Sequence, residues 1–181
     1  MKFKKTIMLK NGVPCTIRNG ESADGDELLF VFQTTHAETD HLMTYPDENT
    51  FDAASEAAFL QEKTDSDREI ELLAVVDGKV VGSAGFEAVG TKDKLRHRAD
   101  FGIAILKDYW GLGIGRALTQ CSIDCARAAG YHQLELTVVA DNTAAVALYR
   151  SLGFVEYGLN PMGFLARDGR YQALSYMRLA L

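Results

Sequence analysis

Tyr109-Trp110-Gly111-Leu112-Gly113-Ile114-Gly115-Arg116-Ala117-Leu118 is the stretch that decides how this chain is read. Three glycines alternate with large apolar residues, and the run then takes on helical periodicity, so it reads as a turn feeding a helix. Glycine tolerates positive φ and lets the main chain come close to a ligand, while the first amides of a helix have no partner within it. Such a corner presents several N–H groups to an anion, and a phosphate or pyrophosphate is the natural guest. Two common phosphate loops fail here. A Walker loop needs a lysine after its last glycine, where Arg116 and Ala117 stand, and a dinucleotide fingerprint counted from Gly111 needs a small residue at Arg116. Alone, alternating glycines describe a tight turn with close helix packing equally well.

The sequel sharpens the reading. An apolar strand, Leu134 to Ala140, ends at Asp141-Asn142-Thr143, and a short helix follows from Ala144 to Leu152 with Gly153 closing it. The segments Trp110-Gly111-Leu112-Gly113-Ile114-Gly115-Arg116-Ala117-Leu118 and Asn142-Thr143-Ala144-Ala145-Val146-Ala147-Leu148-Tyr149-Arg150-Ser151-Leu152-Gly153-Phe154 resemble two motifs of the GCN5-related N-acetyltransferase (GNAT) family. They are its acetyl-CoA-binding motif and the Asn-to-Tyr-to-Gly-Phe motif that follows, in the family's order and spacing. One residue departs: the family often has Arg or Gln where this chain has Trp110. Because that family holds the pyrophosphate mostly through main-chain amides, the departure bears on one side-chain contact.

The resemblance implies one N-acetyltransferase domain over residues 1–181, of α/β class. Its central, mostly antiparallel sheet would contain a splayed parallel strand pair and carry helices on both faces. Acetyl-CoA would be the cosubstrate, with no metal. Its pantetheine would bond Phe101 to Ile105, chiefly Ile103, Ala104 and Ile105, as if another strand were added. The pyrophosphate would rest on Leu112, Gly113, Ile114, Gly115, Arg116 and Ala117, with Asn142 and Ala145 nearby. Tyr149 corresponds to the family's tyrosine beside the thioester sulfur and is the expected general acid. For a base the resemblance offers Glu87 and Asp100, on elements that line the acceptor side. The implied reaction is direct acetyl transfer, in a ternary complex, to a primary amine of a small molecule or peptide. A non-catalytic CoA-binding module of the same fold is the competing reading, and the resemblance also allows a homodimer.

Composition agrees with an ordinary α/β domain. At 181 residues and 47% hydrophobic content the chain can bury one substantial core. No apolar run approaches the roughly 18 residues of a membrane span, and Ile7-Met8-Leu9 is broken by Lys10-Asn11-Gly12 before a secretory core forms. A cytoplasmic location is the default expectation, which three cysteines without disulfide spacing also suit. Cys121 and Cys125, one helical turn apart, read as small core residues rather than metal ligands. Net charge of −6 argues against nucleic acid as a partner. The charge is uneven: Glu21 to Glu69 holds 14 Asp/Glu against Lys63 and Arg68, an arrangement that reads as solvated helix faces or as a field for a cationic amine.

In chain order, Val13 to Arg18 alternates as a strand, Asp24 to Gln33 and Asp52 to Lys63 read as helices, and Thr34 to Thr50 between them reads as a loop. Glu71 to Val76 and Lys79 to Phe86 flank Asp77-Gly78, a hairpin signal. A strand over Arg96 to Leu106 leads into the glycine turn. After the second motif, Phe154 to Leu159 and Tyr171 to Leu179 alternate as strands, with Asn160-Pro161 and Asp168-Gly169 marking the loop between them.

Overall fold

The computed structural model describes residues 1–181 and contains one eight-stranded sheet in the spatial order β1-β2-β3-β4-β5-β6-β8-β7. β1 (Lys4–Met8) and β2 (Pro14–Asn19) lead into α1 (Gly25–Glu38) and α2 (Ala53–Asp65). β3 (Ile70–Val76), β4 (Lys79–Ala88) and β5 (Arg98–Ile105) follow, then α3 (Ile114–Ala128), β6 (Gln133–Val139), α4 (Thr143–Ser151), β7 (Val155–Leu165) and β8 (Tyr171–Ala180). All neighbouring strands are antiparallel except β5 and β6.

Strand alternation sorts the side chains into two layers. Ile70, Leu72, Ala74 and Val76 of β3 join a core of 27 buried residues under α3 and α4, whereas Leu73 joins a core of five with Leu28, Val31, Leu60 and Val80 under α1 and α2. Ile114, Leu118, Cys121 and Cys125, spaced three or four apart on α3, form its buried stripe, and Gly130 at φ +81° ends the turn that follows. Both helix cysteines are buried free thiols, and burial pushes Cys125 up to about 11. The β3–β4 hairpin turns through Asp77 and Gly78, both at positive φ, as a two-residue turn of this handedness requires.

Two expectations need correction, and one strand is not read from the sequence at all. β1 is an edge strand, largely exposed and rich in lysine, so it carries no alternation to read. α1 runs on through Gln33 to Glu38 instead of giving way to a loop. Thr35 there is buried, its hydroxyl donating to the Val31 carbonyl at 2.8 Å, and the His36 ring stacks on Phe32 at 3.8 Å. β7 passes through Asn160-Pro161, which it tolerates because it lies at the sheet edge and shifts register between Asn160 and Phe164. No helix is long and apolar enough to cross a membrane.

Candidate active site

β5 and β6 pair only where Arg98, Ala99 and Asp100 face Gln133, Leu134 and Glu135. Arg98 fastens this junction with a two-pronged ion pair to Glu135, the Nη2 branch at 2.8 Å. Beyond it, β5 stays with β4 and β6 stays with β8, so the parallel pair splays and one edge of Phe101 to Ile105 is left bare. The Leu106 N–H donates to the Val81 carbonyl at 3.0 Å, which fixes the alternation along β5. Gly102 and Ala104 direct their main-chain groups to β4, while Ile103 and Ile105, beyond the last paired position, direct theirs into the gap.

The expected pantetheine edge is thereby narrowed. Ala104 offers the gap nothing from its main chain, and its side chain lines a cavity under α1 and α2. The Ile105 carbonyl accepts the Trp110 Nε1–H at 2.7 Å, which leaves its N–H for the gap. Trp110, the residue that departs from the family pattern, thus closes one end of the opening.

The glycine turn stands at that end. Gly111 at φ +76° and Gly113 at φ +101° lie in the left-handed region, and Gly113 caps α3. The N–H groups of Gly111, Leu112 and Gly113 donate to no main-chain carbonyl. Ile114, Gly115 and Arg116 are the first three helical residues and have no carbonyl four back within the helix. Six consecutive amides are therefore without a main-chain acceptor at the positive end of the α3 dipole, a set that fits the diphosphate of acetyl-CoA. Ala117 differs from expectation, because its N–H already donates to the Gly113 carbonyl at 3.1 Å. The turn is braced from an unforeseen quarter: the Lys10 N–H, between β1 and β2, donates to the Leu112 carbonyl at 3.1 Å. The Arg116 guanidinium donates to Ser151 Oγ on α4 at 2.5 Å, tying the two helices together.

α4 begins at Asn142, whose Oδ1 accepts the Ala145 N–H at 3.2 Å. Seven residues on, Tyr149 is 6% exposed, edge-on to Phe101 with centroids 6.4 Å apart and tilted against Phe154 at 5.7 Å. Burial pushes its phenol up to about 12, so it keeps its proton through the neutral range.

The opposite face of the same strands carries the carboxylates. Glu87 lies opposite Asp100 across β4 and β5, but its side chain is 66% exposed and 3.3 Å from Lys63 Nζ, which Glu69 also holds at 2.5 Å. That makes Glu87 a solvated ion-pair partner. Asp100 is pushed up by burial of its carboxylate and then by the charges of Glu135 and Glu87. Much of the acidic block is taken up by the architecture. Asp24 pairs with Arg18 at 2.6 Å, Glu38 accepts the Lys107 N–H at 2.8 Å, Asp47 pairs with Arg167 at 2.8 Å and Asp52 caps α2.

Of two carboxylates that sequence reasoning passed over, Glu56 has no partner and Glu71 has only the Ser83 hydroxyl. Glu71 and Glu56 line a cavity of about 270 Å³ whose walls are Leu28, Val31, Phe32, Phe51 and Phe59. Burial pushes Glu71 up to about 7, against the pull of the Ser83 hydroxyl and Lys63 and with a push from Glu56 and Glu87. The available signal was a single charge at the start of an otherwise apolar strand, Ile70-Glu71-Leu72-Leu73.

Comparison with known proteins agrees with this geometry. The family model "Acetyltransferase (GNAT) family" matches residues 34–154. The Escherichia coli L-amino acid N-acyltransferase MnaT is 31% identical over 134 residues, 74% of this chain and 77% of its own. An acetyltransferase of the GNAT family from Streptococcus pneumoniae superposes with a TM-score of 0.88 at 32% identity, covering 92% of this chain and 99% of its own. A Salmonella typhimurium structure containing its cofactor acetyl-CoA superposes at 0.82 and 25% identity, covering 92% and 94%. With the splayed strands, the amide-lined turn and these matches together, the chain belongs to the GCN5-related N-acetyltransferase family and is an acetyl-CoA-dependent N-acetyltransferase.

Proposed function

We propose that the protein transfers the acetyl group of acetyl-CoA directly to a primary amine of a small molecule, both substrates being bound at once. The observation that carries this reading is the strand gap itself. It is lined on one side by the free groups of Ile103, ends at the amides of Gly111 to Arg116, and has Tyr149 packed against Phe101 beside it. Acetyl-CoA supplies the activated acyl group. Ile103, the Ile105 N–H and the amide cluster orient it, and the αL conformations of Gly111 and Gly113 keep those amides pointed at one place.

An alkyl ammonium with a pKa near 10 must lose a proton before it can attack. The amine nitrogen forms its bond to the acetyl carbon as the carbon–sulfur bond breaks, and Tyr149 delivers the proton that the leaving thiolate takes. Of the two protons the ammonium gives up, one ends on the thiol and one in solvent.

The test is thiol release from acetyl-CoA across a panel of primary amines. Release that depends on both substrates, with none from acetyl-CoA alone, supports direct transfer. A burst of thiol without amine overturns it in favour of a covalent acyl-enzyme.

A further inference from the structure

The cavity under α1 and α2 belongs to the same reaction but carries information that the donor site does not. We propose that it is the acceptor subsite, that it takes a small primary amine with an apolar body and no carboxylate, and that Glu71 and Glu56 receive the ammonium group. This rests on the acetyltransferase reading and narrows it to one chemical class of acceptor.

Position is the first argument. Ala104 lines the cavity with its side chain, while Ile103 and Ile105 on either side of it turn their main-chain groups to the donor gap, so β5 borders both spaces. The Glu71 carboxylate leans across β4 towards that strand. It lies over Gly85, where a Cβ would stand 2.0 Å from Oε2. Next along the row, Gly102 of β5 pairs with Gly85, and a Cβ there would meet nothing within 4 Å. Two facing glycines thus leave an open lane from the carboxylate to the splayed edge.

Chemistry is the second. Five large apolar side chains form the walls, and none of the ten lining residues is Lys, Arg or His. Glu56 is 6% exposed, and its carboxylate has neither a hydrogen-bond nor an ion-pair partner, burial being the one influence on it. A buried carboxylate without a partner is costly, and an ammonium ion arriving between Glu56 and Glu71 satisfies both. The charged groups around Glu71 are Glu56 and Lys63 on α2 and Glu87 on β4. Lys63 is already held by Glu69 and Glu87. From α1 the cavity receives Leu28, Val31 and Phe32, none charged.

A free amino acid would bring its own carboxylate into this setting, against two others and with no lining cation. The name of the Escherichia coli relative points to L-amino acids; the lining of this cavity points to the decarboxylated counterparts. At about 270 Å³ the cavity is also at the small end of ligand pockets, suited to one arylalkyl or branched alkyl group rather than a peptide chain. On binding, the ammonium gives one proton to the Glu71 carboxylate, which returns it to solvent after the neutral nitrogen has formed its bond to the acetyl carbon. Burial holds Glu71 at about 7, close to the working pH of such a proton acceptor.

Matched pairs test the proposal: 2-phenylethylamine against phenylalanine and 3-methylbutylamine against leucine, with spermidine and a peptide bearing an N-terminal alanine as further acceptors. Each apolar amine should exceed its amino acid in kcat/KM by about 100-fold, since like charges juxtaposed in a binding site discriminate strongly. Glu71→Gln should lower kcat/KM for the amine by about tenfold or more and abolish the acid limb of its pH profile, with the acetyl-CoA Kd unchanged. Glu56→Gln is the second variant, expected to narrow the amine-to-amino-acid ratio without altering that Kd. Preference for the amino acids, spermidine or the peptide overturns the proposal and leaves acetyl transfer standing. Failure to bind acetyl-CoA, or no thiol release with any acceptor, overturns the acetyltransferase reading instead.

Discussion

In the proposed reaction, the face of the sheet under α3 and α4 and the face under α1 and α2 recognise their ligands by different means. On the first, a core of 27 buried residues fixes the strands, and the ligand meets main-chain groups: the free edge of β5 and the amides of Gly111 to Arg116. On the second, the core has five residues, and the ligand meets side chains from α1, α2 and three strands around a cavity. Main-chain recognition suits a substrate that never varies, because it needs only a particular backbone path. Side-chain recognition over a thin core lets acceptor choice change without unfolding the sheet.

The largest effect should come from breaking the donor side. A Cβ at Gly113 would meet nothing within 4 Å, so the damage from valine there is chiefly conformational: φ of +101° is denied to a β-branched residue. Misdirecting two or more charge-assisted amide bonds should weaken acetyl-CoA by about 100-fold, read by calorimetry. Retained affinity in Gly113→Val would break the contrast outright, since side chains would then be holding the diphosphate. Tyr149→Phe comes next. It should reduce kcat by about 100-fold with the acetyl-CoA Kd unchanged, and an unchanged kcat would mean the tyrosine only packs against Phe101 and Phe154.

On the acceptor side, Gly85→Ala would place its Cβ 2.0 Å from Glu71 Oε2 and 2.6 Å from the Ile70 carbonyl oxygen. The protein should lose about 1–3 kcal/mol of stability, and acceptor KM should rise about tenfold while donor affinity holds. A parallel rise in the acetyl-CoA Kd would show that the two faces are not independent.

Glu71→Gln sharpens the comparison through stability. The folded-state pKa of Glu71 is raised from an ordinary carboxylate value to about 7, so the native state favours its protonated form. Its contribution is fully present at low pH and is lost as pH rises through about 7. At pH 8 the glutamine variant should therefore be the more stable, by about 1–2 kcal/mol once water in the cavity is allowed for, and at pH 4 the two should melt together. A variant less stable than the parent at pH 8 would show that the ionised carboxylate is satisfied within the protein.

The smallest effect belongs to Arg167, which pairs with Asp47, stacks on Tyr45 at 4.0 Å and so joins the β7–β8 turn to the segment between α1 and α2. Exposed pairs of this kind contribute little. Arg167→Ala should leave the melting temperature unchanged and alter acceptor KM severalfold at most, and a change in acetyl-CoA binding would contradict the division between the faces.

Legibility in the sequence follows the same division. Gly111, Gly113 and Asn142 were readable because backbone conformation and capping are local properties, written in adjacent residues. β3 and β4 were readable for the same reason, through Asp77-Gly78. β1 was not, since an exposed edge strand alternates nothing, and the last turn of α1 was not, since burial of Thr35 and the Phe32–His36 stack outweighed a polar composition. The acidic block reads in the sequence as solvated helix faces or as a field for a cation, whereas in the structure Arg18, Arg167, Lys107 and the α2 cap each claim part of it. Glu87 and Asp100 were sensible base candidates by strand position, but position says nothing of Lys63 beside the one or of Glu135 beside the other.

By itself the sequence determined the glycine turn, the capped α4 with its tyrosine, and hence the donor. Each depends on residues within one or two turns of each other, where local sterics and hydrogen bonding decide the outcome. Only the tertiary structure decided that Trp110 closes the gap over Ile105, that Ala104 faces away from it, and that Glu56 and Glu71 meet in an apolar cavity. Those facts depend on strand parting, register and burial among segments far apart in the chain, and a carboxylate's environment exists only once its neighbours have been assembled.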